Sequence, residues 1–142
     1  MIVLDTNVIS EVMQPSPSSA VLEWLRGIPI PELATTTICI AEIGYGLARL
    51  PFSRRRSERE ALFANYRTQI LEDRILGFDA LAAAVYGELI AGRERAGRPL
   101  RGADGFIAAI AASRNLAIAT RNIGDFANCG IPLINPWEAA PT

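Results

Sequence analysis

Met1-Ile2-Val3-Leu4-Asp5-Thr6-Asn7 is the stretch that decides the fold. An apolar run with two β-branched residues is cut abruptly by an acid, a hydroxyl and an amide. A strand covered on both faces is apolar throughout rather than alternating, so Ile2–Leu4 predicts a buried central strand ending at Asp5. In open α/β sheets, ligands sit in the crevice beyond the carboxyl ends of the strands. A carboxylate there is costly unless something positive compensates it.

Outward from this strand, Val8–Met13 reads as a short helix, ended by a turn rich in serine around Pro15 and Pro17. Ser18 or Ser19 can cap a second helix with Val21, Leu22 and Leu25 on one face, broken at Gly27–Pro31. Leu33–Thr37 is a short β-branched strand leading into a helix from about Ile38 to Leu50, which Pro51 stops. A helix over Ser53–Leu71 carries Leu62, Phe63, Tyr66 and Ile70 as its apolar stripe, with Arg54, Arg55, Arg56, Glu58 and Glu60 facing water. Ile75–Leu76 is a brief strand, Asp79 caps an alanine-rich helix to about Arg95, and Gly97–Gly102 is a loop holding Arg98 and Arg101. Then come a helix over Ala103–Arg114, a strand over Ala117–Thr120, a polar turn over Arg121–Phe126 and a strand over Pro132–Asn135. Strands alternating with helices predict a three-layer α/β/α sandwich around a central, mostly parallel sheet, as one domain over 1–142.

Composition narrows the chemistry. Half the residues are hydrophobic and mean hydropathy is +0.21, which argues against disorder. Glu88 interrupts the apolar stretch 80–91 and Arg114 interrupts 106–119, so no membrane span is expected. The N-terminus lacks a basic region and cleavage site, so a cytoplasmic protein without a signal peptide is expected. Cys39 and Cys129, both in apolar surroundings, read as reduced core thiols rather than a disulfide. Net charge is −1, and all 14 basic residues are arginine, with no lysine or histidine. That excludes Ser-His-Asp and Cys-His nucleophiles, a lysine Schiff base, a P-loop lysine and a histidine acid–base pair. An enzyme of this composition must work with carboxylates and a metal ion.

Four carboxylates stand where carboxylates are rare. Asp5 ends the first strand, and Glu42 interrupts Ile40-Ala41-Glu42-Ile43 in an apolar helix. Asp104 lies in a first helical turn with Ile107 and Ala108 on its face, and Asp125 follows the 117–120 strand. Each has a plainer reading: Asp5 could form an Asx-turn, Asp104 could meet the helix dipole, Asp125 could cap a turn, and Glu42 could reach a nearby arginine. Together they are harder to dismiss, because Asp5, Thr120 and the segment after Thr37 all fall at strand carboxyl ends on one sheet edge. Acids gathered there would repel by several kcal/mol at low dielectric. A hard dication with oxygen ligands, Mg²⁺ or Mn²⁺, resolves this, with Thr6, Asn7, Thr120 and Asn122 as supporting polar groups.

Four blocks in this order, Ile2-Val-Leu-Asp5-Thr6-Asn7-Val-Ile-Ser10, Ile40-Ala-Glu42, Gly102-Ala-Asp104-Gly-Phe-Ile-Ala-Ala109 and Ala119-Thr120-Arg121-Asn122-Ile-Gly-Asp125-Phe126, resemble the PIN-domain ribonucleases. The likeness is greatest to the VapC/FitB-type toxins of bacterial toxin–antitoxin pairs, and Ile134-Asn135-Pro136-Trp137 shares it. That family places its fourth acid directly after the Thr-Arg pair or three residues later. Here the first place holds Asn122 and the second Asp125, which favours Asp125 as the charge and Asn122 as a hydrogen-bond or ligand partner.

The resemblance implies a PIN-like fold and Mg²⁺-dependent hydrolysis of RNA phosphodiester bonds, with Asp5, Glu42, Asp104 and Asp125 as catalytic residues. Asp5 and Asp104 would be the first metal ligands, Glu42 would bind directly or through water, and Asp125 would position the nucleophile or a second ion. Arg98 and Arg101, just before the Asp104 helix, would contact substrate phosphates, with Arg121 a weaker candidate and solvated loop arginines the alternative. A homodimer and a small cognate antitoxin are implied as partners. The alternatives are an RNA-maturation nuclease of the same type and a non-catalytic Mg²⁺- or RNA-binding module. A phosphoryl-transfer or receiver-type domain is disfavoured by the missing lysine.

Overall fold

The computed structural model describes residues 1–138; positions 139–142 of the expected domain lie outside the described residues. The opening run forms β1 (Ile2–Leu4), the middle strand of a five-stranded sheet ordered β3-β2-β1-β4-β5. Its neighbours are β2 (Leu33–Thr36), β3 (Ile75–Leu76), β4 (Ala117–Ala119) and β5 (Leu133–Ile134). Every pairing is parallel, so the sheet expected to be mostly parallel is wholly so among the described residues. Parallel neighbours need crossovers, and the intervening segments supply helices α1 (Thr6–Val12), α2 (Ser19–Arg26), α3 (Thr37–Ala48), α4 (Arg54–Asn65), α5 (Ala80–Arg95), α6 (Asp104–Ser113) and α7 (Ile123–Phe126).

The period-2 pleat sorts the central strands between two cores. Val3 and Ile118, paired in register, point to one side and pack with Ile107, Ala108, Ala111 and Phe126. Leu4 and Ala119, also paired, point to the other and pack with Val8, Ile9, Val21, Ile43, Leu47 and Phe63. The helix α3 serves both cores, with Cys39 in the first and Ile43 and Leu47 in the second. Phe63 and Leu47 are thus core residues, whereas Tyr45 on the same helix pair is 65% exposed. Cys39 and Cys129 are free thiols, as expected, but only Cys39 is fully buried; Cys129 is partly exposed. No helix among the described residues is long and apolar enough to cross a membrane.

Several boundaries depart from the sequence expectation, each for a local reason. The first helix begins at Thr6 rather than Val8, because the Asp5 side chain caps it by accepting the Thr6 N–H. The helix expected from Ile38 begins at Thr37, its cap being Thr36 Oγ1, which accepts from Cys39 N at 3.1 Å. The single helix expected over 53–71 is α4 followed by a π-helical turn at Tyr66–Leu71, ended by Glu72 at φ +45°. The polar turn after β4 coils into α7, which drives the Phe126 ring into the interior.

Strand order positions the site. From β1 the chain passes to β2 on one side and later returns to β4 on the other, so the carboxyl ends of β1 and β4 flank the reversal of strand order where α/β sheets open a crevice. On one wall, Phe126 holds α7 against α6 and β5 with its ring 1% exposed. Phe126→Ala should cost about 3–5 kcal/mol in urea unfolding and Phe126→Leu under about 1.5 kcal/mol; equal effects would show that the ring does not fill this wall.

Candidate metal centre at the carboxyl edge of the sheet

Asp5 is 6% exposed. Its backbone is held where the ladder ends, with Asp5 N donating to Ala119 O at 2.9 Å and Thr35 Oγ1 donating to Leu4 O at 2.8 Å. The carboxylate accepts from Thr6 N at 2.8 Å, Thr120 Oγ1 at 2.8 Å and, more weakly, Asn7 Nδ2 at 3.4 Å. The Cys39 thiol lies beneath it, Sγ 4.0 Å from Oδ1, and burial raises that thiol's pKa, so it stays protonated. Every donor is neutral, and Asp5 belongs to none of the ion pairs among the described residues. Burial pushes the Asp5 carboxyl above its ordinary value, the Thr120 and Thr6 hydrogen bonds pull it back, and the charges of Glu42 and Asp125 raise it further.

Asp104 stands half-buried in the first turn of α6, after Gly102 turns the chain at φ +52°. Burial raises its pKa to about 6, with the charges of Asp5, Asp125 and Glu42 adding to the rise in that order. A first-turn acid stabilised only by the helix dipole would shift the other way, so burial decides the direction and the neighbouring acids add to it. Glu42 is exposed, because the buried side of α3 belongs to Cys39, Ile43 and Leu47. It does not reach an arginine among the described residues; its Oε1 accepts from Thr6 Oγ1 at 2.9 Å, tying α3 to α1. Asp125 is also exposed, in the first turn of α7. Of the four acids, Asp5 is buried and Asp104 half-buried, whereas Glu42 and Asp125 are exposed.

These acids feel one another's charge without closing on a point. Among the described residues no three acidic or thiol side chains form a ready-made cation cage, yet the charges of the other acids register on both Asp5 and Asp104. An open, all-oxygen arrangement suits a hard dication that keeps several waters and takes few carboxylates directly. The neutral groups organise it. The Thr120 hydroxyl donates to Asp5 and accepts from Asn122 N at 3.0 Å and Asn7 Nδ2 at 3.3 Å. Asn7 Oδ1 in turn accepts from Arg121 N at 3.2 Å. Asn122 therefore enters this network through its backbone.

Arg98 and Arg101 are both exposed. Arg101 shares a small cavity of about 70 Å³ with Arg93, Pro99, Asp104 and Asp125, whereas Arg98 does not line it. Sequence reading missed Arg93, which is 5% exposed. Its guanidinium donates to the carbonyls of Asp125, at 2.9 Å, and Ala127, while Nε has no partner. It clamps the α7 segment by main-chain oxygens and leaves the carboxylates free. The signal was helical spacing: Ala82, Tyr86, Ile90 and Arg93 recur at four, four and three, which puts Arg93 on the face of α5 that meets α6.

The raised Asp104 value fixes a sign. The folded protein binds the proton more tightly than the unfolded chain, so this group's contribution to stability is complete below the ordinary 3.8 and is lost as pH rises through about 6. Asp104→Asn should therefore stabilise the metal-free protein at pH 7.5. Solvent screening at a half-buried carboxyl reduces the gain to about 1 kcal/mol, or about 3 °C in Tm. Melts with and without the substitution from pH 4 to 8 should diverge as pH rises; parallel curves would show that burial and the neighbouring acids do not raise the Asp104 carboxyl.

The comparisons agree with this geometry. The PIN domain family model matches residues 2–130. The VapC ribonuclease Y4jK of Sinorhizobium fredii is 39% identical over 140 residues, covering 99% of this chain and 100% of that protein. Toxin FitB of Neisseria gonorrhoeae is 34% identical over 138 residues, covering 97% and 99%. Among solved structures, FitAB bound to an IR36 DNA fragment superposes with a TM-score of 0.92 at 32% identity, covering 99% of this chain and 98% of that one. Sheet order, acid placement and relatives of matching length together put this chain in the PIN-domain family.

Proposed function

We propose that this chain is a single-domain, metal-dependent endoribonuclease that acts as the toxin of a toxin–antitoxin pair. One observation carries the chemistry: Asp5 is buried among neutral donors, and the charges of the other three acids help to raise the proton affinity of Asp104. Asp5 and Asp104 would hold Mg²⁺, or Mn²⁺, directly, with Glu42 binding directly or through water. A dication bound there would lower the pKa of a water and offset the charge that develops on the phosphate.

The protein's own groups do the rest. Thr120, Thr6 and Asn7 fix the direction of the Asp5 lone pairs, and the Thr6 hydroxyl holds Glu42 toward the same crevice. Asp125, held through its carbonyl by Arg93, is placed to orient the attacking water and take its proton. It fills the fourth acidic place, with Asn122 supporting Thr120 through its backbone. Arg101, beside Asp104 and Asp125, offers its guanidinium to a substrate phosphate, and Arg98 does so at the edge of the same loop.

The relatives support the biological reading, since one is named a ribonuclease and another a toxin. By this reading the partners are an RNA substrate, a cognate antitoxin protein and a second copy of the chain, in the cytoplasm. Attack by water predicts 5′-phosphate and 3′-hydroxyl ends. Cleavage of single-stranded RNA should require Mg²⁺, stop with EDTA, and fall by at least about a hundredfold in Asp5→Ala and Asp104→Ala, the range expected when a group acting on the reaction is removed. Products ending in 2′,3′-cyclic phosphate, or activity persisting in EDTA, would overturn the mechanism. As a readout apart from turnover, MgCl₂ should raise the Tm of the unmodified protein and leave that of Asp5→Asn/Asp104→Asn unchanged.

A further inference from the structure

Given the RNA substrate proposed above, the geometry points to a substrate-phosphate seat at Arg121, braced on Trp137 at the α1 side of the acidic crevice. Four anionic side chains repel a polyanion, so the substrate needs cations at the rim where its backbone passes. Arg101 meets that need beside Asp104 and Asp125. A second cation, Arg121, follows the end of β4 with its backbone bonded to Asn7 of α1.

Arg121 is exposed and joins no ion pair among the described residues. Its guanidinium carbon lies 5.1 Å from the Trp137 ring centroid. The ring is itself anchored, with Trp137 N donating to Asn135 Oδ1 at 3.0 Å and Nε1 donating to Glu11 Oε1 at 3.3 Å. Pro136 before it is fully buried, and the indole packs on the Leu4, Val8 and Ile9 core. The Arg121 backbone is pinned to Asn7 at 3.2 Å, one residue from the Thr120 hydroxyl that bonds Asp5. A guanidinium lying on a ring keeps its in-plane N–H donors free and loses less side-chain entropy when a phosphate arrives. Arg49 on Tyr45, Arg56 on Phe52 and Arg67 on Phe63 are similar pairs, but they sit on α3, α4 and the turns around them. Among the described residues, Arg121 is the ring-braced arginine whose backbone joins the Asn7–Thr120–Asp5 hydrogen bonds.

Binding separates this from turnover. In the Asp104→Asn protein, which the proposed mechanism leaves unable to cut, a labelled single-stranded RNA is titrated by fluorescence anisotropy between 50 and 200 mM NaCl. Arg121→Ala should weaken binding by about tenfold and lower the salt slope by about 0.7, the release expected for one single-strand phosphate contact. Trp137→Leu keeps the charge but removes the ring, and should weaken binding by about threefold with the slope unchanged; Trp137→Phe keeps a ring face and should bind like its parent. Arg55→Ala removes an equal charge from the exposed start of α4 and should have no effect. Unchanged binding in Arg121→Ala, or equal loss in Arg55→Ala, overturns the seat while leaving the nuclease reading intact. An unmodified protein that neither binds nor cleaves RNA overturns both.

Discussion

A carboxylate shut away from water and hydrogen-bonded only by neutral groups sets the terms for this molecule. Asp5 lies where β1 ends, and the parallel register that pairs Leu4 with Ala119 brings the following residues, Asp5 and Thr120, side by side. The hydroxyl of Thr120, the amide of Asn7 and the backbone of Thr6 orient the charge without neutralising it. A buried anion left in that state is destabilising in isolation. The fold retains it by building two apolar cores around the same strand, so that the loss at one residue is small beside the burial of its neighbours.

The same tension extends to Asp104. Its raised pKa reports that burial and the neighbouring acids hold the Asp104 carboxylate in an unfavourable charge state at neutral pH. If the proposed ion site is right, function and stability pull in opposite directions at this edge of the sheet. The supporting structure is arranged accordingly. Arg93 gives two hydrogen bonds to main-chain carbonyls instead of pairing with a carboxylate, and Thr6 reaches Glu42 with a neutral hydroxyl. Asp5 and Asp104 thus feel the charge of the other acids while no arginine neutralises either of them among the described residues.

Much of this was legible in the residues. The unbroken apolar run Ile2–Leu4, the spacing of strand and helix patterns, and the four acids are local features, and local features survive folding. Less legible were those set by partners distant in the chain. Thr6 and Asn7 read as a polar end to a strand and are in fact the first turn of α1, because the acid before them caps it. Glu42, set in an apolar helical run, is exposed, since exposure depends on which helix face meets a core. Arg93 was passed over because its carbonyl partners lie more than thirty residues away.

The sequence by itself determined a helix-covered parallel sheet and a set of oxygen donors with no lysine or histidine among them, because periodicity and residue chemistry are properties of short stretches. Tertiary structure alone decided that β1 sits between β2 and β4, that Asp5 is enclosed and Glu42 open, and that Trp137 lies under Arg121. Those outcomes rest on contacts between residues up to 126 positions apart, as between Glu11 and Trp137. Such contacts form only when long-range packing outweighs the chain entropy that opposes them, and no local pattern encodes that balance.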